Sequence, residues 1–267
     1  MIFRRVELIK DNKDVWLDCY IADKVPYFTR KAILILPGGG YGMCSEREGE
    51  PIAQAFMPYG FNAFVLQYSV KEKARFPQPL IEASLAMKYI RDNAEEFGID
   101  AEKVFAIGFS AGGHLCASLG ILWHSDEIYK AIDMPFGYNK PNGILPIYPV
   151  ISPDREIAHR GSFYNILGEG RTEEEYAVLS LDKRVDERSV PAYIVHTAED
   201  KVVNVQNSLR LAVAYAQNKI PFELHVFESG PHGMSLANEL TSNHPSLISS
   251  HNAKWLGLGI EWINSQK

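Results

Sequence analysis

The residues best suited to chemistry lie in VFAIGFSAGGHLCASLG, residues 104–120. An apolar run stops at Gly108, Ser110 follows, and small residues lead into a helix-like stretch. Gly108-Phe109-Ser110-Ala111-Gly112 fits G-x-S-x-G, the pattern of a serine held on a sharp strand-to-helix turn. Such a turn brings neighbouring main chain close, so side chains at 108 and 112 are expected to collide with it. The serine would stand above the carboxyl end of a strand, with the first N–H groups of a helix beside it to receive a developing anion. The chemistry this suggests is acyl transfer through Ser110. The plain alternative is a tight turn with no catalytic role.

A serine hydroxyl is a weak nucleophile and needs a base oriented by an acid. On this type of turn the chain order is serine, acid, histidine. AYIVHTAEDKVVNV offers Glu199 and Asp200 after a late strand, and FELHVFESGPHGM offers His232 after the next. Asp200 is preferred over Glu199 because aspartate is the commoner acid in such triads. His232 stands in a short loop with Gly230, Pro231 and Gly233. Among other histidines, His225 lies within a strand, His196 suits a support for the acid loop, and His244 and His251 read as solvated. His114, one helical turn from Ser110, reads as a helix-face residue, with a place beside the pocket as the alternative. An oxyanion hole needs converging N–H donors. Ala111 supplies one, and Gly39 and Gly40 of PGGGYG are the candidates for the rest, at the position of the HGGG-type loop of lipases and esterases. Pro37 replaces the histidine of that loop, so its steadying hydrogen bond must come from elsewhere.

These groups need a scaffold that brings distant loops to one edge. RRVELIKDNKDVWLDCYIA reads as an opening hairpin, whereas KAILIL, FNAFVLQ and KVFAIG are apolar runs without alternation, as in strands covered on both faces. Amphipathic spacing across Leu80, Ile81, Leu85, Met87 and Ile90 predicts a helix stopped at Gly98. Further strands are predicted in GILPIYPVI, AYIVHT and FELHVFE, and further helices after Gly112, across NVQNSLRLAVAYAQNK and near 251–265. Alternating strands and helices predict an α/β fold with a mostly parallel sheet and helices on both faces. Residues 1–267 read as a single domain, with the polar interval 152–190 as a lid or cap insertion.

With 267 residues, 46% hydrophobic, 22% charged and a net charge of −6, the composition is that of a soluble globular protein. No basic cluster recommends nucleic acid or an anionic membrane as a partner. Three cysteines without metal-ligand spacing suggest free thiols and no metal site. No leader-like segment or membrane span is recognised, and a cytoplasmic location is expected.

PGGGYG with SEREGEP, IGFSAGGHL, HTAEDKVV and GPHG resemble, in order and from about residue 30 onward, the α/β-hydrolase esterases related to acetyl-xylan and other acetyl-sugar esterases. The resemblance implies an α/β-hydrolase fold, ester hydrolysis through an acyl-serine, no cofactor, and Ser110, Asp200 and His232 as the triad. It also leaves arylformamidases and prolyl-oligopeptidase-like peptidases as relatives of the same fold, and a non-catalytic ligand-binding member as a further alternative. The expected partner is a small-molecule ester, an acetylated sugar among the candidates. Tyr41, Trp123, His124 and Tyr148 are expected to line the pocket, since aromatic faces suit sugar rings. Glu46, Arg47 and Glu48 read as an ion-paired brace of the glycine loop. The interval 152–190 lacks the apolar face of an interfacial lipase lid, which disfavours long-chain substrates.

Overall fold

The apolar runs become inner strands of one sheet in the computed structural model, which describes residues 1–266. In chain order the strands are β1 (Ile2–Glu7), β2 (Trp16–Ile21), β3 (Arg30–Leu36), β4 (Phe61–Gln67), β5 (Ile99–Phe109), β6 (Ile144–Ile147), β7 (Ala192–Thr197) and β8 (Phe222–Phe227). Across the sheet they run β1-β2-β4-β3-β5-β6-β7-β8. The opening hairpin β1–β2 and the pair β2–β4 are antiparallel, and every later pairing is parallel.

The helices are α1 (Glu50–Phe56), α2 (Gln78–Asp92), α3 (Ala94–Phe97), α4 (Ala111–Leu122), α5 (Asp126–Ala131), α6 (Arg160–Leu167), α7 (Glu173–Ala177), α8 (Gln206–Gln217) and α9 (Lys254–Ser265). The long helix expected before Gly98 breaks at Asn93 into α2 and α3, and Gly98 then stops α3 in the left-handed conformation, φ 65°. α5 has no counterpart in the sequence reading, and β6 keeps only part of the run expected for it.

β3 explains why its sequence does not alternate. Ala32, Leu34 and Leu36 point into a core shared with Leu80 and Met87 of α2, Leu115 and Leu119 of α4, and Leu211 of α8. Ile33 and Ile35 point to the other face, against Ile52 and Phe56 of α1 and Trp255 and Ile260 of α9. Both faces are therefore dry, and each such side chain gains about 1.5–3 kcal/mol by leaving water. Loops between parallel strands and their helices emerge together at the carboxyl edge of the sheet. This is the α/β-hydrolase architecture.

The 152–190 segment carries α6, α7 and a short 3₁₀ turn over Leu181–Lys183. Phe163, Ile166, Tyr176, Leu179 and Leu181 are buried in the same core as β3 and α4. Among the described residues no helix is long and apolar enough to cross a membrane.

Candidate active site

β5 ends at Phe109 and α4 begins at Ala111, so Ser110 alone makes the turn. Its backbone sits at φ 54°, ψ −115°, a costly conformation for a side chain-bearing residue. Three main-chain hydrogen bonds hold it there. Ser110 N–H donates to Ile147 C=O at 3.0 Å, while its carbonyl accepts from His114 N–H at 3.1 Å and Val150 N–H at 3.0 Å. A β-carbon at Gly112 would lie 2.1 Å from Leu36 O, and one at Gly108 would lie 2.1 Å from Gly112 O. The turn closes only with glycine at both positions.

Ser110 Oγ lies 2.9 Å from His232 Nε2, and His232 Nδ1 lies 2.6 Å from Asp200 Oδ2. Asp200 is buried and Glu199 exposed, so the two acid candidates part cleanly. The other Asp200 oxygen accepts from Val202 N–H at 2.8 Å and Val203 N–H at 2.9 Å. His196 Nε2 lies 3.3 Å from Asp200 and 3.0 Å from Val203 O, while Ser208 Oγ meets its Nδ1 at 2.7 Å. Burial alone would push the Asp200 carboxyl up, but His196, His232 and the Val203 N–H together hold it well below the usual carboxylate range. An ionised carboxylate there fixes the proton on His232 Nδ1 and leaves Nε2 free to accept one from a hydroxyl.

The glycine loop is pinned at successive carbonyls. Pro37 O accepts from Tyr68 O–H at 2.5 Å, Gly38 O from Ser45 N–H at 2.9 Å, Gly39 O from Gly42 N–H at 3.0 Å, Gly40 O from Asn165 Nδ2 at 2.9 Å, and Tyr41 O from Lys71 N–H at 2.7 Å. Gly38 N–H is taken by Glu48 Oε2 at 2.9 Å. Gly39 and Gly40 are partly exposed, and their N–H groups have no acceptor among the described residues. Ala111 opens α4, so its N–H lies outside the intrahelical ladder. These three amides, the ones expected from the sequence, have no acceptor among the described residues.

Glu48 does the steadying that Pro37 cannot. It is buried, accepting from Gly38 N–H and, through Oε1, from Tyr148 O–H at 2.6 Å. Burial pushes its carboxyl above the usual range. The expected ion-paired brace is replaced by hydrogen bonds. Arg47 instead donates to Gly233 O at 3.0 Å and Thr241 O at 2.5 Å, tying the glycine loop to the His232 loop.

The four aromatic pocket candidates do not gather at the serine. Trp123 and His124 follow the last residue of α4, about 18 Å of helix from its start, which carries them toward the opposite edge of the sheet. Trp123 Nε1 donates to Arg188 O, and His124 lies 3.6 Å from Asp186. Tyr41 and Tyr148 are near the site but 1% exposed. Tyr41 O–H meets His114 Nδ1 at 2.9 Å, and Tyr148 packs its ring edge-on to His232. His114 is buried rather than open to the pocket. Its Nε2 lies 3.3 Å from Leu179 O, and burial pushes its pKa down to about 4, so the ring is neutral.

One histidine near the site escapes sequence reasoning. His159, in the 152–190 segment, is half-buried, with Nδ1 2.8 Å from Ser162 Oγ. Its Cε1 is 3.7 Å from where a β-carbon at Gly40 would stand. Burial lowers its pKa, and the charge of His232 lowers it further against the opposing pull of Asp200. A histidine opening a helix inside the polar interval was the only sequence signal for it. Beside His232 opens a cavity of about 630 Å³ lined by Glu199, Lys201, Val202, Met234, Leu247 and Asn252, among others.

A family model described as BD-FAE matches residues 17–215. The endo-1,4-beta-xylanase B of Butyrivibrio fibrisolvens is 40% identical over 219 residues, 79% of this chain and 33% of that protein. An acetylxylan esterase of Xylanibacter ruminicola is 26% identical over 84% of this chain and 45% of its own length. The chain therefore spans less than half the length of these two curated relatives. Among solved structures, an acetyl ester-xyloside bifunctional hydrolase from Caldicellulosiruptor lactoaceticus superposes with a TM-score of 0.85 at 32% identity, covering 98% of this chain and 96% of that one.

Proposed function

The chain belongs to the BD-FAE family, and from that premise we propose that it is a serine carboxylesterase removing short acyl groups, acetyl above all, from sugar hydroxyls. The observation that carries this reading is the continuous line from Ser110 Oγ through His232 to Asp200, at 2.9 and 2.6 Å. Ser110 attacks the ester carbonyl while His232 Nε2 takes its proton, and Asp200 stabilises the imidazolium that forms. The oxyanion is received by the N–H groups of Gly39, Gly40 and Ala111. His232 then protonates the departing sugar oxygen. Water, deprotonated by the same nitrogen, attacks the acyl-serine, and the collapsing intermediate releases the acid and restores Ser110.

The substrate class follows from the acetylxylan esterase and acetyl ester-xyloside hydrolase relatives and from where the open space lies. The cavity opens beside His232, the group that must protonate the leaving alcohol, and its lining mixes Glu199, Lys201 and Asn252 with Val202 and Leu247. Such a wall suits a hydroxylated acceptor. We read 152–190 as a cap forming the other wall, with His159 presented to the acceptor. Three free thiols suit a reducing compartment and support a cytoplasmic location as part of this reading.

The test is turnover of acetylated xylo-oligosaccharides and of a p-nitrophenyl ester series of increasing chain length. Ser110→Ala is expected to abolish turnover of all of them, and kcat/KM to fall steadily beyond short acyl chains. Wild-type rates in the Ser110→Ala protein would overturn the mechanism. Equal kcat/KM for long acyl chains would overturn the substrate class.

A further inference from the structure

The 152–190 segment reaches the glycine loop through one directed hydrogen bond, from Asn165 Nδ2 to Gly40 O. The other carbonyls from Pro37 to Tyr41 are held by donors outside that segment. Gly40 is the weak point of the loop, because glycine at φ 65° is free to rotate and its peptide would otherwise turn at little cost. Since the peptide unit is planar, holding Gly40 C=O also fixes the plane shared with Tyr41 N–H.

Asn165 is itself held in place. Arg75 donates to its carbonyl at 2.5 Å and to Tyr164 O at 3.2 Å, and Phe76 N–H donates to Ile166 O at 2.9 Å. Phe163 and Ile166 of the same helix are buried in the main core. α6 thus sits on the loop at close range: a β-carbon at Gly42 would be 3.3 Å from Asn165 Nδ2.

We propose that Asn165 is a positioning residue for the oxyanion hole: by holding the Gly40 carbonyl it fixes ψ at Gly40 and keeps the chain that follows the Gly39 and Gly40 N–H groups from turning, so that these two and Ala111 N–H converge. The cap is then a fixed part of the catalytic apparatus, unable to swing away without loosening the hole. This inference rests on the ester-hydrolase reading above.

The experiment compares Asn165→Ala and Asn165→Asp with the wild type for kcat and KM on p-nitrophenyl acetate, inhibition by phenylboronic acid and Tm. A boronic acid bonds the serine as a tetrahedral adduct, so its affinity reports the hole directly. Removing a direct oxyanion donor costs about 10²–10³ in kcat, and losing a positioning contact should cost less, about 10-fold. Asn165→Ala is expected to lower kcat and boronate affinity by that same factor with KM and Tm nearly unchanged. Asn165→Asp, which cannot donate and sets an anion against Gly40 O, should lose at least as much. Unchanged kcat and boronate affinity in both variants would overturn the proposal, as would a kcat loss that follows Tm while boronate affinity stays constant. Fluorophosphonate labelling separates the two readings. If wild type resists labelling at Ser110, the hydrolase reading fails. If wild type labels and the Asn165 variants keep full activity and boronate affinity, only the positioning role fails.

Discussion

Two arms reach Ser110, and they are held in different ways. The acid arm is a line of single contacts, Ser110 to His232 to Asp200, with the carboxylate fixed by two main-chain N–H groups. The oxyanion arm is a buried network in which Tyr68, Glu48, Asn165 and the Tyr41–His114 pair hold one five-residue loop. Their carboxylates differ accordingly. Hydrogen bonds from two imidazoles and from main-chain amides outweigh burial at Asp200, whereas burial outweighs Tyr148 and Gly38 at Glu48. In the proposed mechanism the first arm moves a proton, so one wrong atom should stop it. The second arm keeps a shape, so its substitutions should be graded in rate and visible in stability.

The largest expected effect tests the acid arm. Asp200→Asn keeps the volume but offers His232 Nδ1 an amide, favouring the wrong tautomer, and should lower kcat by about 10⁴-fold. Glu199→Gln, at an exposed position, should leave kcat near wild type. Steady-state kinetics of both variants on p-nitrophenyl acetate check this. A large loss at Glu199 and none at Asp200 would reverse the assignment.

Next comes His114, on the oxyanion arm, read through stability. Its folded-state pKa of about 4 lies below the ordinary histidine value near 6.5, so the unfolded chain takes up the proton first. Its stability contribution is complete above about pH 6.5 and is lost as the pH falls toward 4, about 3 kcal/mol in all. Gln can accept from Tyr41 and donate to Leu179 without titrating. Urea unfolding of His114→Gln between pH 7 and 4 should therefore show a flatter acid limb than wild type. Parallel curves would remove His114 from the buried network.

The contrast between the arms also marks what the sequence made legible. The strands were readable because burial on both faces leaves unbroken apolar runs, as in Ile33–Leu36. The residues that converge on Ser110 were readable because a strained turn, a Gly/Pro-flanked histidine and a triglycine each leave a local mark. The support network leaves none. Glu48 looks like a surface charge beside Glu46 and Arg47 until the fold buries it. Tyr41 and Tyr148 read equally well as pocket walls, since a tyrosine buried with its hydroxyl bonded has the same letter as one facing a ligand. Trp123 and His124 were misplaced by direction, because α4 runs away from the catalytic edge and carries them to its far end.

Glu48 joins rate and stability. In Glu48→Ala, Gly38 N–H and Tyr148 O–H lose a buried acceptor, at about 1–3 kcal/mol for an unsatisfied group, and the loop loses a fixed point. We expect a lower Tm together with a fall in kcat of about 10-fold, below the cost of deleting an oxyanion donor. Glu48→Gln sharpens the comparison with Asp200. A carboxyl raised in the folded state costs stability as the pH rises from the unfolded carboxylate range through the raised value, whereas a depressed one adds stability over the range above its unfolded value. Denaturation across pH 2–8 should find Glu48→Gln gaining on wild type as the pH rises from about 4, and Asp200→Asn falling behind wild type as the pH rises toward about 4 and keeping that deficit above it. Slopes of the same sign would erase the distinction between the arms.

The smallest effect belongs to His159, which touches neither arm's chain of hydrogen bonds. Its Nδ1 meets Ser162 while its Cε1 stands over Gly40, and Nε2 has no partner among the described residues. A half-buried ring with an open nitrogen at the mouth of the site can bond a substrate hydroxyl at the cost of displacing one water. Such a bond exists before and during the reaction alike, so losing it raises KM and spares kcat. A single neutral hydrogen bond is worth about 0.5–1.5 kcal/mol, or about 2- to 10-fold. His159→Ala should therefore raise KM by that factor for an acetylated xylo-oligosaccharide and leave p-nitrophenyl acetate, whose leaving group has no second hydroxyl, unaffected. An equal loss on both esters would instead make His159 part of the support for Gly40, and the oxyanion arm would then extend to the cap through two side chains rather than one.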